Sequence, residues 1–138
     1  MDDPHNLQRF IDAQQPVYDT VLEELRAGRK RSHWIWFIFP QIHGLGHSVM
    51  AQRYEITSLD EVEAYLAHPV LGARLRECSR IVACIKGKTV EEIFGYPDDM
   101  KFRSSMTLFA QASPGEVFDE CLRIHFNGEP DPLTLSRL

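Results

Sequence analysis

Apolar residues recur along most of the chain at alternating intervals of three and four, the period of a helix with one buried face. In "HPVLGARLRECSRIVACIKG" the stripe is Leu71, Leu75, Cys78, Val82 and Ile85, at spacings of 4, 3, 4 and 3. In "QPVYDTVLEELRAG" it is Tyr18, Val21, Leu22 and Leu25, closing on Gly28, a residue that reaches the left-handed conformation without a Cβ penalty. "PDDMKFRSSMTLFAQAS" places Phe102, Met106, Phe109 and Ala110 on one face and two aspartates at the helix start, where the dipole favours them. "EVFDECLRIHFNG" offers Phe118, Cys121, Leu122 and His125 before Asn127 and Gly128.

Polar residues mark where these helices begin. Asp3 before Pro4 reads as an N-cap followed by the first helical position. Ser58 with Glu61, Thr89 with Glu92, and Ser113 with Glu116 have the spacing of capping boxes. No segment sustains the two-residue alternation of a half-buried strand. "WIWFIF", residues 34–39, favours a strand by propensity, but the rest of the chain offers it no partner. It is read as a short buried helix from near Ser32 to before Pro40. The expectation is all-α: a compact bundle of about seven helices in one domain over 1–138, with a glycine loop after the buried aromatic segment.

Length supports one domain, since 138 residues suffice for a single sizeable core. The longest apolar run has six residues, far short of the ~20 that span a membrane. The opening "MDDPHN" is acidic and polar, unlike a secretory signal, so a cytoplasmic location is expected. Cys78, Cys84 and Cys121 are odd in number and lack CxxC spacing, which argues against disulfides and zinc and for buried thiols.

A net charge of −5 argues against a nucleic-acid partner, yet the charge is uneven. From Arg26 to Arg53 there are five cations and no Asp or Glu, together with His33, His43 and His47. This window holds "RKRSHWIWFIFPQIHGLGHS", residues 29–48, the stretch that looks most like chemistry. Position after a helix C-terminus would by itself explain Arg29, Lys30 and Arg31. His43 and His47 are four apart, but Gly44 and Gly46 interrupt any helix between them, so no metal site is expected. The loop lacks the G-x-x-x-x-G-K-[ST] pattern, although paired glycines can turn backbone N–H groups toward an anion. Trp34 and Trp36, two apart, fall on different helix faces, so one can be core while the other lines a pocket. A second polar cluster, "DDMKFRSS", contains Lys101, Arg103, Ser104 and Ser105, with Asp99 and Arg103 spaced to pair on the helix surface. No G-x-S-x-G elbow accompanies Ser105.

Those blocks, with "AQRYEI", "SLDEVEAYLAHPVLGARLREC", "IFGYPDDMKFRSSMTLF" and "FNGEPDPLTLSRL", make the chain resemble the bacterial domain-of-unknown-function 1810 family over nearly its whole length. The resemblance implies a small, mainly helical, single-domain protein and implies no activity. Its signature positions fall on Ser32, His33, Trp34, Trp36, Phe39, Pro40, Gln41, Gly44, Gly46, Lys101, Ser104, Ser105 and Met106.

The functional expectation is a pocket for a small anionic ligand, phosphate-bearing or nucleotide-like. Ser32, His33, Gln41, His43, Gly44, Gly46 and His47 would line one side, and Lys101, Arg103 and Ser104 the other. Trp34 or Trp36 would supply an apolar wall. If the protein is an enzyme, His33 is the candidate acid/base, because imidazole titrates near neutral pH. The sequence assigns no cofactor. The alternative is a non-catalytic interaction module whose basic strip docks an acidic partner.

Overall fold

Asp3 begins the fold by accepting backbone N–H bonds from Leu7 at 2.7 Å and Gln8 at 2.9 Å. These satisfy orphan donors at the start of α1 (Gln8–Gln14). The helix thus starts four residues later than the Asp-Pro signal predicts, because Asn6 adopts φ +50° and turns the chain first. The computed structural model describes residues 2–138, so the first residue of the expected 1–138 unit lies outside the described residues.

The elements that follow are α2 (Tyr18–Arg26), α3 (Ile35–Ile38), α4 (Val49–Tyr54), α5 (Leu59–Ala67) and α6 (Leu71–Ala83). After these come α7 (Val90–Phe94), α8 (Asp98–Ala112), α9 (Val117–Phe126) and α10 (Pro132–Leu135). The all-α expectation holds, but there are ten helices among the described residues rather than about seven. The added ones are short and capped by side chains: Ser48 Oγ accepts from Ala51 N at the start of α4, and Asp131 Oδ2 accepts from Thr134 N at the start of α10.

Of the three expected capping boxes, only Thr89 with Glu92 is reciprocal. Ser58 Oγ does accept from Glu61 N, but the Glu61 carboxylate reaches past it to Thr57 and to Arg9. Glu116 turns instead to the Arg76 guanidinium, at 2.7 and 3.1 Å, leaving α9 without a side-chain cap. Glu61 thus serves the backbone N–H one residue before the cap and the Arg9 guanidinium together, whereas Glu116 takes the charge-assisted bonds of Arg76 and keeps only the hydroxyl of Ser113.

The core gathers on α8, in which every residue from 104 to 110 is buried. It packs against α3, α5, α7, α9 and α10. The predicted stripes are inside: Leu71, Leu75, Cys78 and Val82 on α6, Phe118, Cys121 and Leu122 on α9, and Phe102, Met106 and Phe109 on α8. Ile85 lies beyond the end of α6 and is half-buried. Phe102 joins the aromatic segment to the centre, with ring centroids 4.8 Å from Phe39 and 4.7 Å from Phe94. No helix among the described residues is long and apolar enough to cross a membrane.

Candidate functional site

Glu24 organises the basic-aromatic stretch. Its carboxylate, buried at the C-terminal end of α2, accepts from the backbone N–H of Arg31 (2.8 Å) and Ser32 (3.0 Å), from Ser32 Oγ (2.6 Å) and from Trp34 Nε1 (2.9 Å). Burial alone would raise the pKa of this carboxyl. The bonds from Ser32, the Arg31 backbone and Trp34 outweigh it and hold the group at about 2. Two of the expected site residues, Ser32 and Trp34, are thereby engaged in holding the loop.

Lys30 is engaged as well. Its ammonium bonds the Ser32 carbonyl at 2.6 Å, pairs with Asp98 at 2.7 Å and lies 5.1 Å from the Trp34 ring centroid. The run "RKR" is therefore split: Arg29 and Arg31 are exposed, while Lys30 fastens the loop to the first turn of α8. The aromatic helix α3 is a single turn. Trp36 is half-buried on it, with Lys101 Nζ 5.3 Å from its ring centroid. The Trp36 indole N–H is buried and has no hydrogen-bond partner among the described residues. An orphan donor of this kind calls for an explanation.

Past Pro40 the backbone forms an isolated parallel bridge, Ile42 with Ile56, through His43 N to Ile56 O and Ile56 N to Gln41 O, both 2.9 Å. The bridge fixes both ends of the segment carrying the glycine loop and α4. Gly44 has φ +88° and donates to Glu55 Oε2 at 3.3 Å. A Cβ there would come within 2.3 Å of Arg137 Nη1, so the guanidinium of the last turn lies against the loop. A Cβ on Gly46 would stand 2.5 Å from the Ala51 Cβ, so the loop packs directly on α4.

Opposite this loop stand α8 and the segment leading into α10. Between them is a cleft of about 220 Å³. Gln41, Leu45 and Gly46 line one side, Lys101 and Ser104 of α8 the other, and Asp131 and Leu133 close the end. The Lys101 ammonium is 3.5 Å from Asp98, which it shares with Lys30, so this trio keeps one net positive charge. Ser104 Oγ lies 2.9 Å from Asp131 Oδ2, which also accepts from Thr134 Oγ1 at 2.6 Å. The cleft thus sets donors, Lys101 and Gln41, against an acceptor, the Asp131 carboxylate. That arrangement fits a ligand with an anionic group and hydroxyls.

Four of the expected site residues, Gln41, Gly46, Lys101 and Ser104, meet at this cleft. His43, Gly44 and the exposed His47 belong to the same loop but do not line the cleft, and His33 is exposed outside the loop. Arg103 is two residues beyond Lys101, a rotation of roughly 200° around a helix. It faces away and bonds the Glu129 and Pro130 carbonyls at 3.0 and 3.1 Å, which fixes the chain just before Asp131. Ser105 Oγ is buried without a partner among the described residues. Asp131, Leu133 and Arg137 were not singled out by sequence. The Asp131-Pro132 pair carries the same helix-start signal as Asp3-Pro4 and would have placed Asp131 at a cap, though not beside Ser104. No group of three or more His, Cys, Asp or Glu among the described residues could hold a metal ion.

A family model described as "Protein of unknown function (DUF1810)" matches residues 4–138. Among solved structures, the crystal structure of a conserved hypothetical protein from Mycobacterium tuberculosis is 53% identical, with a TM-score of 0.97, covering 99% of this chain and 98% of that one. No curated protein matches.

Proposed function

We propose that this chain, which belongs to the DUF1810 family of proteins of unknown function, binds a small anionic, hydroxyl-bearing ligand in the cleft between its glycine loop and α8. The observation that carries the reading is the meeting, at one cleft, of Gln41 and Gly46 from one part of the sequence with Lys101 and Ser104 from another. Trp36 does not itself line the cleft, but Lys101 stands over its ring, and its buried indole N–H has no partner among the described residues. A volume of about 220 Å³ is below the usual range for drug-sized ligands, which favours a sugar phosphate or similar head group over a whole enclosed nucleotide.

The reading is one of binding. His33, the candidate acid/base, is exposed and does not line the cleft, so no catalytic role is assigned to it. Docking of an acidic partner on the basic strip is the second reading; it has exposed Arg29 and Arg31 in its favour, but Lys30 is already paired with Asp98. A cytoplasmic location is part of the proposal and is supported by three cysteines held as free thiols.

The test is a thermal-shift comparison of inorganic phosphate, sugar phosphates, nucleotides and simple carboxylates. A ligand present at about 100 times its dissociation constant stabilises the folded state by ~2.7 kcal/mol. Lys101→Ala and Gln41→Ala should remove the shift while leaving the unliganded melting temperature near the parent value. Absence of any anion-dependent shift, or its persistence in Lys101→Ala, would overturn the proposal.

A further inference from the structure

A larger cavity lies away from this cleft, between the C-terminal ends of α2 and α6. It has a volume of about 520 Å³, inside the range of small-molecule pockets. Leu25, Ile81 and Ile85 give it an apolar lining. Arg26, Arg80, Lys86 and Lys88 also line it, against one acid, Glu77, which accepts a hydrogen bond from Tyr18 Oη.

The cations are more numerous than the local structure requires. Arg26 and Arg80 sit in last helical turns, where the dipole favours them. Lys88 donates to the carbonyl of Gly28, just past α2, at 3.1 Å. Lys86 lies past the end of α6 with neither role. None of the five ion pairs among the described residues uses Arg26, Arg80 or Lys86, and all three side chains belong to exposed residues. An acidic protein thus surrounds an apolar groove with unpaired positive charge. Like charges lining one groove repel, and a bound anion would relieve that repulsion while its apolar part covers Ile81 and Ile85.

We infer that this groove is a second ligand site, which takes a small amphipathic anion: an apolar chain or ring bearing one carboxylate or phosphate head group. The head group sits among Arg26, Arg80 and Lys86, and the apolar part lies on Leu25, Ile81 and Ile85. The inference is independent of the glycine-loop cleft.

The chain carries its own reporter. Cys84 is exposed within the groove, whereas Cys78 and Cys121 are buried. Burial pushes both of those thiols up to about 12, so neither competes as a thiolate at neutral pH. The experiment follows alkylation of each cysteine by neutral iodoacetamide, read by mass spectrometry, with octanoate, octyl phosphate, octan-1-ol or octylamine present. Octanoate or octyl phosphate should protect Cys84 saturably, and the more effective of the two identifies the head group. Octan-1-ol and octylamine should be at least about tenfold weaker, the scale of one lost charge-assisted contact. The double variant Arg80→Ala, Lys86→Ala should weaken protection by the anion by about tenfold or more and leave that by octan-1-ol unchanged. Ile81→Asp should abolish both. Equal protection by octan-1-ol, no protection by either anion, or full protection in the double variant would overturn the inference. So would exposure of Cys78 and Cys121, which would mark octanoate as a denaturant. Protection that grows with protein concentration alone would show that a second copy covers the groove, and would overturn it too.

Discussion

Trp34 Nε1 donates to Glu24 Oε1 at 2.9 Å, and that single bond sets the last residue before the aromatic helix onto the last turns of the helix that precedes it. Three further donors, from Arg31 and Ser32, converge on the same carboxylate. The basic stretch is therefore shaped by an acid that precedes it in sequence.

Glu24 should make stability pH-dependent in a defined window. Its carboxyl titrates at 4.5 in the unfolded reference and at about 2 in the fold. The depressed value means that its contribution is complete above about pH 4.5 and is lost as pH falls toward 2, up to roughly 3 kcal/mol in all. Glu24→Gln should be about 1–3 kcal/mol less stable at neutral pH, having lost charge-assisted bonds, and should show a flatter decline in that window. Urea unfolding across pH measures both; an unchanged pH slope in the variant would contradict the role given to Glu24.

The three consecutive cations should separate on mutation. Lys30→Ala removes a partly buried ion pair to Asp98 and should cost about 1–3 kcal/mol, while Arg29→Ala and Arg31→Ala, at exposed positions, should stay within about 0.5 kcal/mol. Equal effects at all three positions would mean that Lys30 is not the fastener of this loop.

Leu75→Ala and Phe109→Ala should each destabilise by about 2–5 kcal/mol, since both side chains are almost fully buried. Val49→Ala, at 80% exposure, should fall within about 0.5 kcal/mol and serves as the control. Chemical denaturation gives the three values directly.

The stripe on α6 is legible because that helix buries one face: Leu71, Leu75, Cys78 and Val82 repeat with the helix itself. α8 was legible by its ends, Pro97 and the aspartates, more than by its pattern, because a helix buried nearly all round has polar residues inside too. Ser104, Ser105 and Thr107 are buried there, and Ser104 and Thr107 are accommodated by bonds to main-chain carbonyls four residues back. The helices α4 and α10 are too short for a period to emerge, and only their caps, Ser48 and Asp131, announce them. At the cleft, the glycine loop and the Lys101 turn could each be picked out, because aromatic, glycine and basic residues stand out locally. Whether a histidine joins them, and none does, depends on loop paths set by tertiary contacts, the Ile42–Ile56 bridge and Arg137 against Gly44. Sequence spacing does not encode those.

The most direct measurement of the central claim uses the two indole N–H resonances of a ¹⁵N-labelled sample, which report two different environments. Trp34 is held on Glu24, whereas Trp36 lies beneath Lys101 with its N–H unpartnered. On titration with a small sugar phosphate at constant ionic strength, the Trp36 resonance should move saturably and the Trp34 resonance should stay, and Lys101→Ala should abolish the movement. If both resonances stay fixed, or both drift together as they do with sodium chloride alone, the cleft between the glycine loop and α8 is not an anion site.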